Sequence, residues 1–294
     1  MLFNDPHWLR ASEWLSRAKT GGVGIMGVPL NASISPGRCD LAPGAIREAL
    51  TRFSPYDPGA DLDVSTLGIK DWGDLHVSTA RESVATIADA LELPLQQSEA
   101  MVLLGGDNAI TRPGVRALGR IDRVGLITFD AHFDLRDLSL GYINGNPIRA
   151  LLDDGLPGSQ IVQIGIQAFA NSAPYGAVAR EAGIEFVTAP RVHAEGIGHH
   201  VERALVKLSE AVDAIYIDLD IDVLDRSFAP ACPGSRPGGL MPWQLREAVR
   251  ICGRHHKVRM MDIVEIDPRN DVADSTVLNA AACLLEFCAG VRER

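Results

Sequence analysis

Two short acidic runs carry the residue types best placed to do chemistry. The first is Asp130-Ala-His132-Phe-Asp134, and the second is Asp218-Leu-Asp220-Ile-Asp222, with Asp225 following. Each comes directly after an apolar stretch that reads as a buried strand, Val124-Gly-Leu-Ile-Thr-Phe129 and Ala214-Ile-Tyr-Ile217. Burying an unpaired carboxylate is costly, so two acidic strand ends with one interleaved imidazole point to bound cations. Hard oxygen ligands with a histidine suit Mn²⁺ first, then Zn²⁺ or Fe²⁺. In an extended segment residues i, i+2 and i+4 share a face, which would converge Asp130, His132 and Asp134, and likewise Asp220 and Asp222. The blander reading is an acidic rim, or aspartates serving as helix caps. The repetition of one ligand logic in both runs favours cations.

The elements that must position these residues alternate along the chain. Continuous apolar runs at 22–28, 64–70, 100–105, 123–129, 160–165, 184–188, 213–218 and 257–264 read as strands covered on both faces. Helical patterns lie between them near 43–52, 80–97, 109–118, 147–154, 198–210, 241–254 and 274–290. Alternating β and α elements give a parallel sheet with right-handed crossovers and helices on both sides. No repeat, low-complexity tract or linker interrupts the 294 residues, so residues 1–294 read as one domain. The loops after the carboxyl ends of parallel strands are where such sheets carry their sites. Gly105-Gly-Asp107-Asn108, the two acidic runs and Glu265 all fall there.

Composition narrows the class further. Hydrophobic content of 46% with 22% charged residues is that of a globular chain, and a net charge of −10 argues against a nucleic-acid footprint. The five cysteines, at 39, 232, 252, 283 and 288, form no C-x-x-C pair and predict a reducing, cytoplasmic setting. The N-terminus lacks the basic and apolar regions of a signal peptide, and no window reaches the roughly 18 apolar residues of a membrane span.

Taken together, these motifs resemble the ureohydrolases: arginase, agmatinase, formimidoylglutamase and relatives. The resemblance runs through Gly27-Val-Pro29, Pro36-Gly-Arg38, Gly44-Ala-Ile-Arg47, Asp71-Trp-Gly-Asp74 and the Gly-Gly-Asp loop at 105–107. It continues through Asp130-Ala-His-Phe-Asp134, Asp220-x-Asp222-x-x-Asp225, Gly238-Gly-Leu240 and Asp262-Ile-Val-Glu265. It implies a three-layer α/β/α fold with a mostly parallel sheet of about eight strands, a centre of two Mn²⁺, and homotrimers or homohexamers. By the same resemblance Asp130 and Asp220 would bridge the metals. His132 and Asp222 would complete one metal, and Asp134 would serve the other. Two cations sharing a water would lower its pKa and ready it to attack a guanidinium or formimino carbon. Asp134 would carry the proton to the leaving nitrogen, and Glu265 would hold the cationic amidine.

Two departures refine that expectation. The family usually places His directly after Gly-Gly-Asp as a ligand of the first metal, and here the residue is Asn108. An amide oxygen binds Mn²⁺ more weakly than imidazole, so one firm and one weak metal site are expected. The segment Asn144-Gly-Asn-Pro147 lacks the proton-shuttle His of arginases and agmatinases. Formimidoylglutamases also lack it, and they share Asp-Ala-His-Phe-Asp-Leu-Arg with residues 130–136. Phe133 and Arg136 therefore tilt the expected substrate to N-formimino-L-glutamate, cleaved to glutamate and formamide. Arg136, Arg149 and Arg236 are candidates to hold its carboxylates, and Asn144 is a further candidate contact. Two other readings stay open: hydrolysis of a guanidino compound with release of urea, and an inactive relative that binds a metabolite.

Other features invite less. His199-His200 and His255-His256 read as solvated pairs, because neighbours on a helix or strand point apart. Cys232 sits in an expected site loop but would need a base to become a nucleophile. The first eighteen residues could form an amphipathic helix carrying Trp8, Leu9, Trp14 and Leu15, suited to packing or a subunit contact.

Overall fold

The computed structural model describes residues 5, 7–16, 21–34, 37–77 and 80–294. Eight strands form one sheet, parallel at every pairing: β1 (Val23–Val28), β2 (Ile69–Asp74), β3 (Ala100–Gly105), β4 (Val124–Phe129), β5 (Ile161–Ile166), β6 (Glu185–Thr188), β7 (Ala214–Leu219) and β8 (Val258–Ile263). Their spatial order is β2-β1-β3-β8-β7-β4-β5-β6. The chain thus jumps from β3 to β4, leaving a gap that β7 and β8 later fill. That gap is where a doubly wound sheet opens a crevice at its carboxyl edge.

The central strands are buried almost throughout because helices cover both faces, whereas the edge strands β2 and β6 are half-buried. On one side Ile25, Val102 and Ile217 pack with Ile46 of α2 (Ala42–Ala49), Val201 of α8 (Ile197–Ser209), Leu245 of α9 (Pro242–Arg254) and Phe287 of α10 (Ser275–Arg292). On the other, Met26, Leu103 and Tyr216 pack with Leu91 of α3 (Ala80–Gln97), Val115 of α4 (Thr111–Ala117), Leu151 of α5 (Pro147–Asp153) and Ala179 of α6 (Ala173–Glu181). Each fully buried aliphatic side chain contributes ~2 kcal/mol of transfer free energy. Successive residues such as Ile25 and Met26 serve opposite layers, as the pleat requires.

Three sequence expectations shift. The segment 64–70 is not one strand: Asp63 accepts a hydrogen bond from the Ser65 amide at 2.9 Å and caps a single 3₁₀ turn, Val64–Thr66, so β2 starts only at Ile69. Two helices escaped notice, α6 and α7 (Ala189–Glu195). Both are short and rich in Ala with few large apolar residues, so their periodicity is faint, although Ser172 before Ala-Pro174 is a legible N-cap. The N-terminal helix is confined to α1 (Ala11–Leu15), with Trp14 and Leu15 buried and Trp8 exposed. Residues 1–4, 6, 17 and 18 of that expected helix, and Pro36 of the Pro-Gly-Arg motif, lie outside the described residues. Among the described residues no helix is long and apolar enough to cross a membrane.

One glycine ties the fold to the crevice. Gly106 follows β3 and its amide donates to Val28 O at 2.9 Å, while its carbonyl accepts from Glu265 N at 3.0 Å. A Cβ there would fall on the Leu30 backbone carbonyl. Gly106→Ala is therefore expected to lower the urea-derived unfolding free energy by roughly 3 kcal/mol. A change below 1 kcal/mol would show that the loop moves aside freely.

Candidate active site

The carboxyl ends of β3, β8, β7 and β4 are consecutive in the sheet and deliver Asn108, Glu265, Asp220 and Asp130 to one place. Just beyond β4, the Asp130 amide still donates to Ile164 O of β5, at 3.2 Å. Its Oδ1 accepts from the His132 amide at 2.6 Å, turning the chain, and its Oδ2 is buried without a partner. Asp222 reaches across from the other run. Its Oδ1 accepts from the Ala131 amide at 3.0 Å, and its Oδ2 lies 2.8 Å from His132 Nδ1. Asp220 Oδ1 accepts from the Asp222 amide at 2.9 Å and caps a 3₁₀ turn, Ile221–Val223. The acidic residues therefore converge through turns rather than through the alternation of an extended strand. Asp134 confirms this with a left-handed φ of 51°.

Glu265 also has a positive φ, 68°, in a region that costs a bulky side chain ~1 kcal/mol or more. Its Oε1 accepts from the Asn108 amide at 2.8 Å and from Asn144 Nδ2 at 3.0 Å. Asn144 in turn accepts from the Ile34 amide at 3.1 Å, closing the loop after β1 over the site. Asn108 points Nδ2 at Asp134 Oδ2, 2.6 Å away, and its Oδ1 faces Thr111 Oγ1 at 2.6 Å. Thr111 Oγ1 is also 2.9 Å from Asp262 Oδ2 inside the sheet.

These groups form the floor of a cavity of about 290 Å³, with His132, Asp134, Asp220, Asp222 and Glu265 lining it. Arg136, Asn144, Tyr175 and Arg236 line the walls. Arg236 Nη1 lies 2.9 Å from His132 Nε2. Arg149, on α5, does not line the cavity; its backbone amide donates to Asp134 O at 3.1 Å. Tyr175, Thr111 and Asn171 are site-region residues that sequence reasoning missed. Asn171 follows an expected strand, but no acidic motif marked the loop after β5.

Crowding perturbs every acid here. Burial raises Asp130 to about 6, helped by Asp222, and raises Glu265 to about 8, helped by Asp107. Burial and the neighbouring acids push Asp134 and Asp220 well above the usual carboxylate range. Asp222 goes the other way: burial pushes it up, but His132 outweighs that and holds it low. For His132 burial opposes the charge, yet Asp222 and Asp130 outweigh it and hold the ring proton far above the ordinary histidine range. A group of acids that can be neutralised only by holding protons is a receptor for cations.

The donor set fits Mn²⁺. Asp130, His132 and Asp222 bring ligand atoms within 4.8 Å of one another, the buried Asp130 Oδ2 is free, and oxygen with imidazole is the expected chemistry. Asp220, Asp222 and Cys232 form a second such group. The Cys232 thiol is driven well above its usual range by burial and the adjacent carboxylates, which leaves it a poor nucleophile. Asp225 is spent structurally, accepting from Ser227 N and Gly238 N. Asp71 and Asp74 pair with Arg47. One expectation fails outright: His200 is 2% exposed, not solvated, because α8 turns it into the core.

The description "Arginase family" matches residues 21–290. The chain belongs to the arginase family. Within it, the formimidoylglutamase of Halalkalibacterium halodurans is 38% identical, over 98% of this chain and 94% of that protein. The crystal structure of formimidoylglutamase from Bacillus subtilis superposes with a TM-score of 0.90 at 32% identity, over 99% of this chain and 94% of that one. A formiminoglutamase of Trypanosoma cruzi, solved with Mn²⁺₂, shares the arginase-family fold with a TM-score of 0.86 at 22% identity, over 98% and 99% of the two chains.

The buried acids make a pH prediction for the chelator-treated protein. Glu265, raised from 4.5 to about 8, and Asp130, raised from 3.8 to about 6, hold protons in the fold that the unfolded chain has already released. Their contribution to stability is full below the unfolded values and is lost as pH rises through the folded ones. The thermal midpoint in EDTA should therefore fall as pH is raised from about 6 to about 8, and saturating Mn²⁺ should remove the fall. A midpoint that rises over this range without metal contradicts the assignment.

Proposed function

We propose that this arginase-family hydrolase adds water across the formimino C–N bond of N-formimino-L-glutamate, releasing glutamate and formamide. The observation that carries the reading is the charge layout of one cavity, with carboxylates including Glu265 on its floor and the exposed Arg136 and Arg236 on its walls. An amidinium at one end and two carboxylates at the other match that layout. A guanidino amine lacking carboxylates would leave both arginines facing a cation. Formimidoylglutamases among its relatives, including those of H. halodurans and B. subtilis, support the same substrate.

In this reading Asp130, His132, Asp220 and Asp222 would hold one Mn²⁺, and Asp134 with Asn108 would serve a second. The manganese of the T. cruzi formiminoglutamase supports the choice of metal. When bound, Mn²⁺ supplies a Lewis acid and lowers the pKa of a water at neutral pH. Glu265 receives the amidinium N–H groups in charge-assisted hydrogen bonds, and Asn144 holds Glu265 for that task. Asp134 accepts the water's proton and delivers it to the departing nitrogen, so that glutamate leaves as an amine. Asn108 Oδ1 already accepts from Thr111, so it would share its lone pairs with a metal, and an amide oxygen binds Mn²⁺ more weakly than imidazole, which supports a weaker first site. Arg136 and Arg236 engage the substrate carboxylates through planar, forked donors. The proposal extends to a homotrimer or homohexamer of single-domain chains in a reducing cytoplasm, where five buried, unpaired cysteines are at home.

Two measurements test this. With N-formimino-L-glutamate and Mn²⁺ the protein should release formamide, and Glu265→Gln should lower kcat/KM about a hundredfold, or ~2.7 kcal/mol. Release of urea from a guanidino acid with no formamide from the formimino substrate would overturn the substrate assignment. Asn108→His should raise the manganese retained per chain after dialysis, from one firmly held ion to two. Unchanged retention would remove residue 108 from the metal shell.

A further inference from the structure

Beyond the end of β4, the segment Asp130–Asp134 has left the sheet yet must hold its metal-binding side chains in register. The pairing of β4 with β5 stops at Phe129 opposite Ile164. Two further backbone bonds continue it, Asp130 N to Ile164 O at 3.2 Å and Gln167 N to Ala131 O at 3.0 Å. Past that point β5's own chain turns away: Phe169, fully exposed, has φ 62°. No backbone of that chain continues the ladder beside His132 and Phe133.

A side chain does so instead. Asn171 Nδ2 donates to Ala131 O at 3.0 Å, and Asn171 Oδ1 accepts from Phe133 N at 2.8 Å. A carboxamide that donates to residue j−1 and accepts from residue j+1 reproduces the pattern by which a backbone residue pairs with residue j in a parallel ladder. Residue j here is His132. Asn171 itself is held by the turn into α6, where Ser172 caps the helix by accepting from the Tyr175 amide. Among the described residues no other hydrogen bond to the Phe133 amide competes with Asn171.

We infer that Asn171 is a positioning residue for the metal centre: its carboxamide serves as a surrogate peptide group that extends the β4–β5 ladder and fixes His132 between Asp130 and Asp222. The inference rests on the proposal that these residues hold Mn²⁺. Asn171 lines the cavity, and its carboxamide bonds go to the backbone on either side of His132. Hydrogen-bond partners that orient metal ligands are worth roughly 10–100-fold in affinity.

The test titrates chelator-treated wild type, Asn171→Ala and Asn171→Asp with MnCl₂ by calorimetry, alongside the thermal midpoint of each metal-free protein. Asn171→Ala loses both bonds and should weaken Mn²⁺ binding at least tenfold. Asn171→Asp keeps the acceptor for Phe133 N but turns a carboxylate oxygen towards Ala131 O, so its affinity should fall between the other two. At saturating Mn²⁺ kcat should drop in the same order with KM little changed. A brace with no role at the metal would shift the metal-free midpoint and leave the Mn²⁺ affinity alone, and equal affinities in all three proteins overturn the inference. If Asn171→Ala does not fold, the comparison of Asn171→Asp with wild type decides it. A wild type that takes up no Mn²⁺ would instead sink the underlying metal assignment.

Discussion

Like charges gathered where water is scarce set the terms for this fold. Asp130, Asp134, Asp220, Asp222 and Glu265 stand at the carboxyl ends of three strands that are neighbours only because β7 and β8 fill the gap left between β3 and β4. Each is buried, and in the protein alone they face one imidazole and the reach of Arg236. Repulsion of this kind is tolerable only if the acids hold protons or a cation is supplied. The left-handed backbone at Asp134 and Glu265 adds a further cost, which the rigid parallel sheet beneath can absorb.

The polar network does not end at the cavity. Asp262, in the middle of β8, accepts from Tyr216 Oη at 2.7 Å and from the Leu219 amide at 3.1 Å, and lies 2.9 Å from Thr111 Oγ1. Thr111 links it to Asn108, and Asn108 to Asp134. A carboxylate in the interior of a sheet would be costly without such donors. With them it becomes the fixed end of a chain running from the core to the site. Asp218 lies beside it, fully buried, and burial and Asp262 push it well above the usual carboxylate range. It belongs to the core, apart from Asp220 and Asp222 of the same run.

How much of this was readable follows from what each signal depends on. The strands were legible because most are dominated by apolar residues, as in β1 and β3, and burial on both faces imposes that composition. Acids placed directly after such runs were legible for the same reason, since nothing else about a strand end calls for three carboxylates. The alternation argument for their convergence did not survive. It presumes extended backbone, whereas Asp220 caps a 3₁₀ turn and Asp134 adopts a left-handed conformation. Thr111, Asn171 and Tyr175 were invisible because hydroxyls and carboxamides occur throughout any chain. Only their distances, set by folding, distinguish them. Arg149 looked equivalent to Arg136 and Arg236 until α5 carried it away from the cavity.

The two asparagines at 108 and 144 stand where histidines occur in related enzymes, and their geometry gives the substitution a physical meaning. An ionised carboxylate only accepts hydrogen bonds, so each carboxamide must turn its nitrogen towards its acidic neighbour. Asn108 does so to Asp134 at 2.6 Å and Asn144 to Glu265 at 3.0 Å. A histidine in either place could donate a proton as well as a hydrogen bond, and would change its charge near neutrality. A carboxamide supplies the donor and never titrates. In the proposed reaction the carboxylates and His132 are therefore the groups suited to carry a proton to the leaving nitrogen. Asp134 is the acid among them that lines the cavity and takes the Asn108 donor, and that contact stabilises its charged form against the burial that opposes it.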